Sequence, residues 1–269
     1  MYLLIQDLLI HLLNMNVTFL GTGTSGGIPV LTCDCEVCNS LDYRDKRLRV
    51  SVWIEVEDKS FVIDTGPDFR LQALRERIPR IDGIIYTHEH KDHTAGLDDI
   101  RPYNYLHGTQ HLDLYGHSRV LAQLKREFAY AFEEQKYPGV PLINVHEIEG
   151  HHSFKIKDEI FTPIEVLHHH LPVLGFRIQD FTYITDVNSI SDQELEKVYG
   201  SKVLVLGALQ RLKHISHFTL DEAIEVAQKV NADMTYFTHI SHKMGLHSEV
   251  EKELPQNIRL AFDGLKVKI

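Results

Sequence analysis

THEHKDHTAG, residues 87–96, follows directly on the apolar run IDGIIY, residues 81–86. The run reads as a strand, so the histidines stand where a strand gives way to a loop. His88, His90 and Asp92 alternate along an extended segment and can share one face. Asp92 and His93 fall where Thr94-Ala95-Gly96 begins a helical turn. Imidazole suits Zn, Mn and Fe, and a carboxylate adds negative charge. An ordinary polar loop does not account for four such side chains between positions 88 and 93. The cluster reads as part of a metal site.

Outward from that stretch, the composition is that of an ordinary globular protein with one outlier. The chain has 269 residues, 43% hydrophobic and 25% charged, and 18 of them are histidine. The formal net charge is −10, with no block of Lys or Arg. A polynucleotide partner is therefore not expected, since attraction to a polyanion needs a basic surface. Cys33, Cys35 and Cys38 sit together in CDCEVC (33–38). An odd number at tight spacing is not a disulfide framework and points to a reducing, cytoplasmic setting. MYLLIQDLLIHLLNM (1–15) is too short to span a bilayer, which needs about 20 residues, and it lacks a signal peptide's basic start and cleavage site. No membrane association is expected. Residues 1–15 are read as an N-terminal extension, either an amphipathic helix or a segment ahead of an authentic start at Met15, and 16–269 as one domain.

Val17–Leu20 reads as a strand, followed by the glycine-rich GTGTSGG (21–27). No GK[ST] follows, so these glycines serve a tight backbone rather than a phosphate. Hairpins are expected at 51–64 and 174–185, with strands at 81–86, 203–206 and 234–238 and an extended segment at 140–147. Helices are expected at 68–77, 118–135 and 220–230. VWIEVEDKSFVIDTG (52–66) echoes GFRIQDFTYITDV (175–187), each a hairpin ending near an acid. IIYTHEH (84–90) echoes MTYFTHISH (234–242). Two such units suggest two sheets with helices outside.

The pattern H-x-H-x-D-H resembles that of the metallo-β-lactamase superfamily, which implies an α/β fold, an αββα four-layer sandwich of two mixed sheets with outer helices. The superfamily's further ligands have counterparts in LHHHLPVLGFR (167–177), YITDV (183–187) and YFTHISH (236–242), in the required order. The resemblance implies a binuclear site for two divalent ions, Zn or Mn. His88, His90 and one of His168, His169 and His170 would hold the first, with His168 favoured. Asp92, His93 and His239 would hold the second, and Asp186 would bridge. Asp64 of IDTG would be a carboxylate supporting these ligands.

Within the superfamily the chain most resembles the PhnP-type cyclic phosphodiesterases, through GTGTSGGIPV, DFRLQALR, GLDDIRP, AFDGLKV and the cysteine triad. That resemblance implies a structural zinc on Cys33, Cys35, Cys38 and His242, because such a site wants four S or N ligands. It places a general acid at His217, with His214 nearby, and leaves His247 without a role. The implied function is metal-dependent hydrolysis of a small, cyclic phosphodiester, and family analogy admits a homodimer. The alternative is a ribonuclease Z-like tRNA-processing nuclease, which shares the His217-x-Thr219-x-x-Glu222-Ala223 pattern but not the cysteines. A diiron oxidoreductase would carry a carboxylate where His90 stands. A zinc-stabilised binding module would have lost ligands that are all present here.

Overall fold

The computed structural model describes residues 15–106, 108–133 and 137–269. The expectation for the N-terminal extension lies outside them, except that Met15 opens the first strand. One sheet runs edge to edge through Lys266–Lys268 (β14), Met15–Gly21 (β1), Ser51–Val56 (β2), Lys59–Ile63 (β3), Gly83–Ile85 (β4), Leu112–Gly116 (β5) and Ile143–Glu147 (β6). The other runs through Ile258–Leu260 (β13), Met234–Thr238 (β12), Val203–Gly207 (β11), Phe181–Ile184 (β10), Leu171–Ile178 (β9), Glu159–His168 (β8) and Phe154–Ile156 (β7). Each sheet begins antiparallel and turns parallel: at the β3–β4 junction in the first, at β10–β11 in the second.

The layering explains the strand sequences. Val203 and Val205 point into the core between the sheets, with Phe61, Phe161, Phe176 and Phe181, whereas Leu204 and Leu206 face the other way. There they meet the outer helices Asp192–Val198 (α7) and Leu220–Val230 (α8), through Leu195, Val198, Ala223 and Ala227. On the first sheet, Val62, Ile84 and Leu114 meet Phe69 of helix Phe69–Glu76 (α2) and Val120 and Leu124 of helix Ser118–Glu127 (α5). The shorter helices are Glu36–Asn39 (α1), Lys91–Thr94 (α3), Arg101–Tyr105 (α4), Ala129–Phe132 (α6) and His247–Glu253 (α9). Strands covered on both faces are apolar throughout rather than alternating, and the whole is the expected four-layer sandwich.

Two expectations change. The helix expected over 118–135 stops at Glu127, because Phe128 leaves helical geometry (φ −115°, ψ 39°), and a separate turn follows at 129–132. Residues 134 and 135 lie outside the described residues. The two Thr-His stretches are not equivalent: β4 lies next to the first hairpin, whereas β12 is separated from the second hairpin by β11. The hairpin echo is real, and the histidine echo is displaced by one strand.

Candidate metal centre

The centre forms where the strands of both sheets end. Asp64 follows β3, the 87–93 loop follows β4, Asp186 follows β10 and His239 follows β12. Asp64, Asp186 and His239 all have left-handed backbone, with φ of 63°, 45° and 58°. Such conformations in non-glycine residues cost about 1–3 kcal/mol each and persist where the surroundings over-determine them. Glycine is required beside them. A Cβ on Gly66 would lie 2.1 Å from the Asp92 carbonyl oxygen, so the chain bearing Asp92 and His93 can press against the IDTG turn. Thr65 N–H donates to the His93 carbonyl (2.8 Å) and Gly96 N–H to that of Thr65 (2.8 Å).

Asp64 is buried, and both of its oxygens are taken. Oδ1 accepts from the Thr87 backbone N–H at 2.9 Å, while Oδ2 accepts from the Thr87 hydroxyl at 2.8 Å and from His93 Nδ1 at 2.7 Å. With its proton committed to Asp64, Thr87 Oγ1 accepts from His88 Nδ1 at 3.0 Å. His168 Nδ1 donates to the Ser216 carbonyl at 2.8 Å. Each of these rings therefore turns its Nε2 to the cavity, the arrangement by which outer hydrogen bonds orient metal ligands; with no cation beside it, His93 is held well above the ordinary imidazole value, its burial outweighed by Asp64, Asp186 and Asp92.

The Nε2 atoms of His88, His93 and His239 are buried without a hydrogen-bond partner. Those of His93 and His239 stand 3.2 and 3.3 Å from Asp186 Oδ2, and 3.4 and 3.8 Å from Asp92 Oδ2. Carboxylates so placed need a positive charge among them, from a cation or, without one, from the facing rings. Burial opposes ionisation of Asp186 and Asp92, but the facing imidazoles outweigh it and hold both carboxyls well below the usual range. Burial pushes His88 well below the ordinary imidazole value, and the neighbouring His93 adds to this. The donor set fits divalent cations.

The expected residues come together. The His88 ring lies 4.5 Å from that of His90, and the His168 ring 6.0 and 5.3 Å from those two. Of the three consecutive histidines, only His168 turns inward; His169 and His170 are exposed. Donor atoms of His88, His93 and Asp186 lie within 4.8 Å of one another, as do those of Asp92, His93 and His239. His217 closes the other side, its ring 4.4 Å from His168 and 4.8 Å from His239, and its Nδ1 3.9 Å from Asp186 Oδ1. Burial, reinforced by His239, lowers its pKa to about 3. The expected acid thus also lies within ligand reach of Asp186 and His168. The half-exposed His214 ring is 5.1 Å behind it.

Thr219 and Glu222, part of the pattern shared with ribonuclease Z, form a capping box for α8. Thr219 Oγ1 accepts from Glu222 N–H at 3.2 Å, and Glu222 Oε2 from Thr219 N–H at 2.9 Å. Ala223 packs against the sheet. These residues start the helix that follows His217.

Cys33, Cys35 and Cys38 are free thiols whose sulfurs lie 3.2, 3.4 and 3.6 Å from His242 Nδ1. Tetrahedral zinc with Zn–S of about 2.3 Å and Zn–N of about 2.0–2.1 Å separates S and N by about 3.5 Å. This second donor set fits zinc. The Cys38 backbone N–H lowers the Cys35 thiol to about 6, and burial raises that of Cys38 to about 11. The link to the first centre is short: Ile240, between His239 and His242, donates to the Thr22 carbonyl (2.9 Å) and accepts from Thr24 N–H (3.1 Å). GTGTSGG is thus a seam to the His239 loop. His247, left open by the sequence, belongs to a different seam. Its Nδ1 accepts from buried Arg47 (3.1 Å) and its N–H donates to Asp45 Oδ1 (2.8 Å). Sequence reasoning missed Thr87 and the Ser216 carbonyl; a Thr directly before each of His88 and His239 was the available signal for the first.

A model of a beta-lactamase superfamily domain matches residues 59–240, a span that holds all seven candidate ligands of the first centre. A crystal structure described as a new diphosphatase from the PhnP family superposes with a TM-score of 0.89 at 41% identity, over 95% of this chain and 97% of that one. An octanoyltransferase of Porphyromonas gingivalis is 35% identical over 257 residues, 95% of this chain and 52% of its own. A ribonuclease Z of Bacillus velezensis is 30% identical over 169 residues, 62% of this chain and 49% of its own. The chain spans about half the length of these two relatives.

Proposed function

From the premise that the chain belongs to the metallo-β-lactamase superfamily and, within it, to the PhnP family, and is a metal-dependent hydrolase, we propose that it cleaves a P–O bond in a small phosphodiester, a cyclic one in the first place. The observation that carries this reading is the position of Asp186, whose Oδ2 lies between the histidines of the second donor set and whose carboxylate also comes within 4.8 Å of donor atoms of His88 and His168 of the first. Two divalent cations, when bound, supply a nucleophile near neutral pH and offset charge on the phosphoryl oxygens. His88, His90 and His168 hold the first and Asp92, His93 and His239 the second, with Asp186 shared. Two carboxylates against two dications leave the pocket cationic inside an acidic protein, which favours an anionic substrate. His217 faces the shared carboxylate and is placed to pass a proton to the departing oxygen; burial and His239 keep it neutral in the free site, so it takes up that proton once the anionic substrate lies beside it, with the half-exposed His214 connecting it to solvent. Cys33, Cys35, Cys38 and His242 hold a structural zinc that fixes the loop bearing His239.

A diphosphate is the second reading, favoured by the 41% identical structure described as a diphosphatase. It asks the same of the site, attack at phosphorus with an oxygen leaving. The ribonuclease Z reading is weaker. The chain carries net charge −10, and in the His217-x-Thr219-x-x-Glu222-Ala223 pattern, on which the resemblance to such nucleases rests, Thr219 and Glu222 are explained by the helix cap. Octanoyltransferase names a protein about twice as long as the match. The test is a substrate panel with metal analysis on the purified chain: 2′,3′-cyclic nucleotides, a nucleoside diphosphate ester and pre-tRNA. Turnover of the first with about three ions per chain is expected. Preference for the second substrate would move the assignment to diphosphates, and salt-sensitive cleavage of pre-tRNA alone would overturn it.

A further inference from the structure

The first donor set is assembled from two separate parts of the chain: His88 and His90 from the loop after β4, and His168 from the last position of β8. These belong to different sheets. One backbone bond joins them, from Leu174 N–H to the Thr87 carbonyl at 3.1 Å. Among the described residues, a side chain from a third element makes a further link. Arg119 stands in the first turn of α5, which follows β5, the parallel neighbour of β4. Its Nε donates to Glu89 Oε1 at 3.2 Å, and its Nη2 donates to the Pro172 carbonyl at 2.6 Å. Glu89 lies between His88 and His90, and Pro172 lies four residues beyond His168.

We infer that Arg119 is a positioning residue, holding His88 and His90 against His168 at the separation one cation requires. This rests on the binuclear reading above. Arginine suits the task because its planar fork serves two acceptors in fixed geometry. The contact is not one the fold needs. Arg119 is partly exposed, and the Leu174–Thr87 bond and the packing of Val120 and Leu124 do not involve its side chain. The nitrogen atoms that would touch a cation are not its own, so its action is through Glu89 and Pro172.

Metal uptake tests this apart from activity. Wild type, Arg119→Ala, Arg119→Lys and Glu89→Ala are equilibrated with buffered Zn²⁺, the bound ions per chain are counted and thermal midpoints are recorded. Wild type should take about three ions. Arg119→Ala and Glu89→Ala should each bind one of them about 10–100-fold more weakly, the scale of an outer partner of a metal ligand, with the other two ions and the midpoint of the metal-free protein retained. Arg119→Lys should recover part of the loss, since an ammonium reaches one acceptor but not both. Titrations of both alanine variants that overlay the wild type would overturn the inference, as would loss of all three ions together with a collapsed midpoint. A wild type holding one ion only would overturn the binuclear reading as well, and is a different result from three ions unaffected by the variants.

Discussion

Asp64 and Asp186 close equivalent hairpins in the two sheets, both on left-handed backbone and both buried. Their surroundings send them to different work. Asp64 is saturated by Thr87 and His93, three donors on two oxygens. Asp186 accepts from the Thr185 hydroxyl at 2.8 Å and turns the same Oδ2 toward the Nε2 atoms of His93 and His239. The difference comes from the strand that follows. After β3 the chain leaving the next strand, β4, carries Thr87, two residues past Ile85, and brings donors to the acid. After β10 the next strand, β11, ends in Gly207, which brings no side chain; a Cβ there would meet the Asp186 backbone nitrogen at 3.2 Å. One acid orients ligands, and the other is left open to be one.

The harshest test of that contrast is Asp186→Asn. Both ions should be lost or misplaced and kcat should fall by on the order of 10⁴-fold or more, because the drop in water pKa from 15.7 toward about 7 is forfeited. Activity within tenfold of wild type, with full metal content, would erase the distinction between the two acids. Next is His217→Ala, on the open side of Asp186. The expected loss in kcat is about 10²–10⁴-fold on esters with poor leaving groups, and clearly smaller with a nitrophenolate, which leaves without a proton. Equal losses on both would reassign His217 from acid to metal donor, a position its 3.9 Å approach to Asp186 also allows. Asp64→Asn should do less, weakening metal affinity about 10–100-fold through His93 and Thr87. If it matched Asp186→Asn in severity, the saturated acid would be acting as more than an orienting group.

The contrast also marks what the chain's letters disclose. Ligands with a strong local pattern were legible: 88–93 in one short run and the Cys33, Cys35, Cys38 triad by spacing, whereas His242 joined that triad only through resemblance. His168 was picked from three neighbours by resemblance, and only the turn after β8 shows why, with His169 already at φ 58° and pointing away. β8 has no counterpart among the expected strands, and Pro163 lies within it. The strand tolerates proline there because β7 stops pairing at Phe161, so the missing N–H lies on an unpaired edge. Thr87 was invisible as a partner, since the acid it serves is 23 residues away and on another strand. Spacing within one element survives in sequence; contact between elements does not.

Arg47 and His247 make the smallest and most specific test, because they join the segment before β2 to the start of α9 rather than the two acids. His247 is nearly enclosed, and burial, with Arg47 and Arg44 adding to it, lowers its pKa to about 4. In the unfolded chain the ordinary value near 6.5 returns. Between those values the unfolded state binds a proton that the folded state refuses, so stability falls as pH drops from about 6.5 toward 4 and levels off below. At most about 2 kcal/mol should be lost on this account between pH 7 and pH 5. His247→Asn retains an acceptor for Arg47 but cannot titrate. The variant should start less stable at pH 7 and lose less on acidification, so the two urea midpoints converge. The metal centre destabilises both proteins alike as its ligands protonate, and the difference between them isolates His247. Parallel pH profiles would show that this imidazole is not held neutral, and that the Arg47 seam tolerates a second positive charge.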